Sequence, residues 1–132
     1  MLKSFKPPRD RAVQRHLAHL AVDMAAEAYS VSPNDILSSS RSQAQVARAR
    51  QISMYLSHVI GQLTVAQVSE EFSRDRTTVT HALHIIEDRR DSPIFEQQMQ
   101  FLERAYKKEV VNLHRNWLAT SQYHKADIKH SA

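Results

Sequence analysis

Glycine occurs once in this chain of 132 residues, at Gly61, and proline four times. So few breakers, with abundant Ala, Gln, Glu, Arg and Leu, predict an all-α chain. The same scarcity rules out a glycine-rich phosphate loop of the P-loop or dinucleotide kind, so no nucleotide cofactor is expected. The length suits one ordinary domain with a single core. Cysteine is absent. Disulfides and thiolate metal sites are therefore excluded, and a cytoplasmic setting is expected. The start of the chain, Met1-Leu2-Lys3-Ser4-Phe5-Lys6-Pro7-Pro8, is charged and broken by proline, unlike a signal peptide. No apolar run approaches ~18 residues, so no membrane span is expected.

Residues 1–9 read as a flexible basic arm. Asp10 can cap a helix running to about Tyr29, with Val13, Leu17, Leu20, Met24 and Ala28 on its buried face. His16 and His19 lie three apart, but a pair without a third ligand is weak evidence for a metal, and no metal site is expected. Ser32-Pro33-Asn34-Asp35 starts a short helix, with Ser32 as N-cap and Pro33 in the first turn. Ser38-Ser39-Ser40-Arg41-Ser42 is a polar loop. It is either a plain linker or a phosphate contact through its hydroxyls and Arg41. A helix from about Gln43 to Ile60 follows, with Val46, Ala49, Ile52, Leu56 and Ile60 as its core stripe. Gly61 is expected to end it as a left-handed cap.

The most informative stretch comes next. Thr64-x-x-Gln67 has the pattern of a capping box, in which side chain and backbone of the two residues bond reciprocally. Val65, Val68 and Phe72 follow at helical spacing. After the short connection Ser73-Arg74-Asp75, a second helix is expected with Asp75 as N-cap and Thr78 in its first turn. Val79, Ala82, Leu83 and Ile86 form its apolar stripe. Thr77, His81 and His84 lie opposite. That outer face carries hydroxyls and imidazoles rather than the Glu and Lys of an ordinary solvated surface. Such short groups can reach base edges in a major groove, and Arg76 stands where an entering helix makes its first contacts. The pattern fits a helix-turn-helix; a plain helical hairpin is the alternative.

Ser92-Pro93 opens a last helix to about residue 119, with Phe95, Met99, Leu102, Tyr106, Val110 and Leu113 as its stripe and Trp117 continuing it. Its far half is expected to extend past the core, where exposed apolar residues would suggest a dimer or partner surface. Residues 120–132 read as a disordered tail.

The formal net charge is +4. Its distribution is uneven. Residues 1–16 carry Lys3, Lys6, Arg9, Arg11 and Arg15 against Asp10 alone, and no acidic residue occurs from Ile36 to Val68. Positive charge without interleaved carboxylates suits a polyanion partner, although a basic surface tuned for solubility has the same appearance.

Val46-Ala47-Arg48-Ala49-Arg50-Gln51-Ile52-Ser53-Met54-Tyr55-Leu56, then Phe72, then Arg74-Asp75-Arg76-Thr77-Thr78-Val79-Thr80-His81-Ala82 resemble the C-terminal DNA-binding domain of the bacterial replication initiator DnaA. The family-like core spans about residues 23–103 of a domain covering 10–119. The resemblance implies a Trp-repressor-like (DnaA domain IV-like) helical bundle. By position, it implies that Asp75, Arg76, Thr77 and Thr78 face base edges and phosphates. It further implies that Arg50 and Gln51 hold the DNA backbone, and that Arg74 helps set the turn. Of the family's basic loop only Arg41 remains as a minor-groove candidate. Two departures stand out. Ser73 stands where the family usually has two glycines, and Arg76 replaces the family's histidine, adding affinity for guanine or for phosphate.

The chain lacks the family's ATPase domain, which implies a free-standing DNA reader. The expected function is a sequence-preferring binder of double-stranded DNA that regulates replication initiation or transcription, as a nucleoid-associated monomer or homodimer. The expected contacts are Arg41, Arg50, Gln51, Arg74, Asp75, Arg76, Thr77, Thr78 and His81. The alternative is a protein-interaction module that binds another replication-initiation protein, with DNA contact secondary. An enzyme is not expected, because no nucleophile elbow or complete metal motif accompanies His81, His84 and Asp88.

Overall fold

The computed structural model describes residues 10–38 and 43–130, with side chains described as far as Ala119. The described residues form α1 (Arg11–Tyr29), α2 (Pro33–Leu37), α3 (Ala44–Val59), α4 (Val65–Phe72), α5 (Arg76–Arg89) and α6 (Pro93–His130). The expected arm at residues 1–9 and the expected contact Arg41 lie outside the described residues.

Helix α3 is the hub. It packs against α1, α2, α4 and α5. Its predicted stripe Val46, Ala49, Ile52 and Leu56 is buried, but so are Ser53, Met54, Tyr55 and Ser57. A helix enclosed on nearly every side must satisfy its hydroxyls internally. Ser53 Oγ donates to the Ala49 carbonyl at 2.7 Å and Ser57 Oγ to the Ser53 carbonyl at 2.8 Å.

The expected face of α1 is buried at Leu17 and packs half-buried against the core at Val13, Leu20 and Met24; only Ala28 is exposed. The buried side is wider than expected and adds Ala18, Ala21, Val22, Ala25 and Ala26. Small side chains there allow neighbouring helices to approach closely. Asp10 caps α1 by accepting from the Val13 amide at 2.8 Å.

Gly61 is not a left-handed cap. No glycine has positive φ; Gln62, one residue later, takes it at 62°. Glycine is needed for space instead. A Cβ at position 61 would stand 2.6 Å from the Ser57 carbonyl oxygen and 2.7 Å from the Tyr106 hydroxyl.

Helix α6 continues past residue 119, the expected end, to His130. No glycine or proline follows Pro93 to stop it. Met99, Leu102, Tyr106 and also Val110 belong to the core, so the helix leaves the body later than expected. Tyr106 donates its hydroxyl to the Leu17 carbonyl at 2.8 Å.

An arginine clamp joins α6 to α5. Arg90 donates to Glu96 at 2.6 and 2.9 Å, to Glu103 at 2.9 and 3.0 Å and to the Tyr55 hydroxyl at 3.1 Å. Tyr55 in turn donates to Glu87. The hydrogen bonds from Arg90 hold the Glu96 carboxyl down at about 2, and burial pushes the Tyr55 phenol up to about 12. A depressed carboxyl stabilises the fold fully above its unfolded-state value, near 4.3, and loses that contribution as pH falls toward 2. On going from pH 5 to pH 2, the wild-type urea midpoint should therefore fall further than that of Glu96→Gln.

Candidate nucleic-acid interface

The turn between α4 and α5 is built from local bonds. Thr64 and Gln67 form the predicted capping box, with Thr64 N donating to Gln67 Oε1 at 2.9 Å and Gln67 N to Thr64 Oγ1 at 3.1 Å. Val68 and Phe72 are buried. Helix α4 ends with Ser73 in the left-handed region, φ 51°. That conformation costs a non-glycine residue about 1–2 kcal/mol. The turn around it is correspondingly well bonded. Arg74 N donates to the Ser69 carbonyl at 3.1 Å, and Ser69 Oγ donates to the Arg74 carbonyl. Arg74 Nη1 closes on the Phe72 carbonyl at 3.1 Å.

Helix α5 presents two faces. Val79, Ala82 and Ile86 are buried and Leu83 packs against the core. Arg76, Thr77, Thr78, Thr80, His81 and His84 are exposed. Asp75 is the N-cap residue, as predicted, but its side chain makes no capping hydrogen bond.

Five of the predicted residues converge. Arg50, Gln51, Arg74, Thr78 and His81 line one cleft of about 120 Å³, floored by Ala47, Met54 and Ala82. Asp75, Arg76 and Thr77 stand outside it on the exposed first turn. The two cleft arginines also have structural partners. Arg50 Nε donates to the Ile36 carbonyl at 2.7 Å and Nη2 to the Asp35 carbonyl at 3.0 Å. Arg74 Nη2 donates to the Ser38 carbonyl at 2.8 Å. Burial, reinforced by the nearby charge of Arg74, lowers the basicity of Arg50. Two guanidinium groups lining one cleft repel each other, and an anion entering it would relieve that repulsion.

One member of the cleft's support went unrecognised in the sequence. Arg48 donates to Gln51 Oε1 at 2.9 Å and so orients an amide that reaches the cleft. The spacing of three residues on one helix was the available signal. Conversely, His16 and His19 stay exposed on α1, and no group of three or more metal-binding side chains occurs among the described residues. No described helix is long and apolar enough to cross a membrane.

The family model described as the bacterial DnaA protein helix-turn-helix matches residues 19–86, which run from the middle of α1 into α5. Among solved structures, a DNA replication initiation factor superposes with a TM-score of 0.69 at 29% identity, covering 76% of this chain and 31% of that one. Replication initiator DnaA bound to AMPPCP and single-stranded DNA gives 0.66 at 28% identity, over 74% and 30%. AMPPCP-bound DnaA from Aquifex aeolicus gives 0.65 at 28%, over 74% and 29%. The chain thus spans about a third of the length of these proteins. The matched region is a helix-turn-helix and not a catalytic domain. On the strength of that match and of the α4–turn–α5 geometry, the chain belongs to the bacterial DnaA helix-turn-helix family.

Proposed function

We propose that this protein binds double-stranded DNA with sequence preference, through the exposed face of α5, in the control of replication initiation; control of transcription is the finer alternative. The observation that carries the reading is the face itself. A helix-turn-helix holds Arg76, Thr77, Thr80, His81 and His84 out to solvent while Val79, Ala82 and Ile86 anchor the rear. Phosphate contacts would supply a salt-dependent affinity, and the short side chains of α5 would supply discrimination between bases. Arg50, Gln51, Arg74, Thr78 and His81, around the cleft, are assigned to the DNA backbone beside the groove. Asp75, Arg76 and Thr77 are assigned to the groove.

Thr77→Ala should weaken binding to a preferred duplex by about 1–3 kcal/mol and leave binding to a scrambled duplex nearly unchanged. Fluorescence anisotropy with labelled duplexes measures both. Equal affinity of wild type for the two duplexes would defeat the base-reading part of this proposal.

A second reading has its own observation. Ile94 and Phe101 on α6 are 82% and 64% exposed. They lie one heptad apart and so share a helix face, one suited to a partner protein of the initiation machinery. Ile94→Ser/Phe101→Ser should preserve DNA affinity. If DNA-dependent regulation nevertheless fails in this variant, the partner reading gains.

A further inference from the structure

We propose that Arg76 reads a guanine, so that the preferred DNA site contains a G·C pair at the position met by the first turn of α5. This inference rests on the DNA-binding reading above and adds a base identity to it.

The first observation is that Arg76 is placed against its electrostatic interest. It is the first residue of α5, at the positive end of the helix dipole, where a cation is unfavourable. The first turn of α5 holds no acidic residue, and the one adjacent carboxylate, that of the N-cap residue Asp75, does not cap the amides. Arg76 is exposed and has no hydrogen bond or ion pair with any described residue. The other arginines nearby are engaged: Arg50 and Arg74 on carbonyls, Arg48 on Gln51, Arg90 on Glu96 and Glu103. Arg89 is at the opposite end of the helix. A cation left free where the fold gains nothing from it marks a residue kept for a ligand.

The second observation concerns what α5 can read. Bidentate recognition of adenine requires Asn or Gln, and the helix, Arg-Thr-Thr-Val-Thr-His-Ala-Leu-His-Ile-Ile-Glu-Asp-Arg, contains neither. Two parallel N–H donors aimed at O6 and N7 of guanine are the strongest base contact its first turn can offer, and Arg76 alone there supplies them. The neighbouring exposed carboxylate of Asp75 points the same way. It repels a backbone phosphate but can accept from the amino group of the paired cytosine.

The test selects sites from random duplex DNA with wild type, Arg76→Ala and Arg76→Lys, and circular dichroism verifies that each remains folded. In the wild-type site one guanine should be required. Arg76→Ala should lose the preference at that position and keep it elsewhere, whereas Arg76→Lys, whose ammonium can still donate to O6 and N7 but lacks the planar fork, should keep a weakened preference there and its affinity for unrelated duplexes. Replacing that guanine with 7-deazaguanine, which lacks the N7 acceptor, should weaken wild type about 5–150-fold and leave Arg76→Ala unaffected. If Arg76→Ala instead weakens all duplexes alike and lowers the salt slope by about one, Arg76 is a phosphate contact and the proposal is overturned. Unchanged selection by Arg76→Ala overturns it as well. Selection of no sequence by wild type would defeat base reading as a whole, and absence of duplex binding would defeat the DNA reading itself.

Discussion

Phe72→Ala should lose about 3–5 kcal/mol of folding stability, the largest effect expected of any single change here. Phe72 is 1% exposed and is the last residue of α4. Its ring lies where α4 gives way to the turn, and its carbonyl accepts from Arg74. Truncation leaves a cavity that the surrounding helices cannot close without moving the turn. DNA affinity should fall with stability, because the first turn of α5 is positioned by the same residues. Urea unfolding followed by circular dichroism gives the first quantity and duplex binding below the transition gives the second. A small change in stability would mean that α4 and α5 relax toward each other. The role assigned to the ring would then be wrong.

Gly61→Ala is expected to cost about 1–3 kcal/mol, an overpacking effect and not a conformational one. The backbone at Gly61 has an ordinary negative φ, so alanine meets no torsional objection. Its methyl group would meet the Ser57 carbonyl oxygen at 2.6 Å and the Tyr106 hydroxyl at 2.7 Å. Only the second contact can be removed by mutation. Tyr106→Phe alone should cost about 1 kcal/mol through loss of the bond to the Leu17 carbonyl. In the double variant part of the clash disappears, so the two losses should sum to more than the measured total. Strict additivity would place the whole clash on the Ser57 backbone.

The case of Gly61 shows where sequence reading stops. A lone glycine after a helical run suggests a left-handed cap, because local rules know only the chain on either side. The reason for glycine here is crowding, by the Ser57 carbonyl oxygen and by the hydroxyl of Tyr106, which is on another helix and remote in sequence. Arg50 and Arg74 tell the same story. Their type and place near the predicted recognition helix were legible, but their acceptors are backbone carbonyls at Asp35, Ile36 and Ser38, and a sequence carries no mark of a receptive carbonyl. In α1, alanines and larger apolar residues both recur at helical spacing. The larger residues marked one edge of the buried side, but Ala18, Ala21 and Ala25 are as deeply buried as Leu17, and small residues give periodicity too weak a signal to mark that width. What was legible had a short range. The Thr64–Gln67 capping box, the caps at Asp10 and Ser32, and the alternation of buried and exposed positions along α5 all depend on residues within one or two turns. The position of Asp75 at the start of α5 was legible for that reason, whereas its lack of a capping bond was not.

The carbonyl contacts of Arg50 and Arg74 have a consequence for how any bound polymer is met. Two forked side chains tether the end of α2 and Ser38 to α3 and to the turn before α5. The position of Ser38 is thereby fixed relative to α5 before any ligand arrives. Aligning two separately tethered grips on a duplex would carry an entropic penalty at each encounter. Here the relative placement of Ser38 and α5 is set once, when the chain folds.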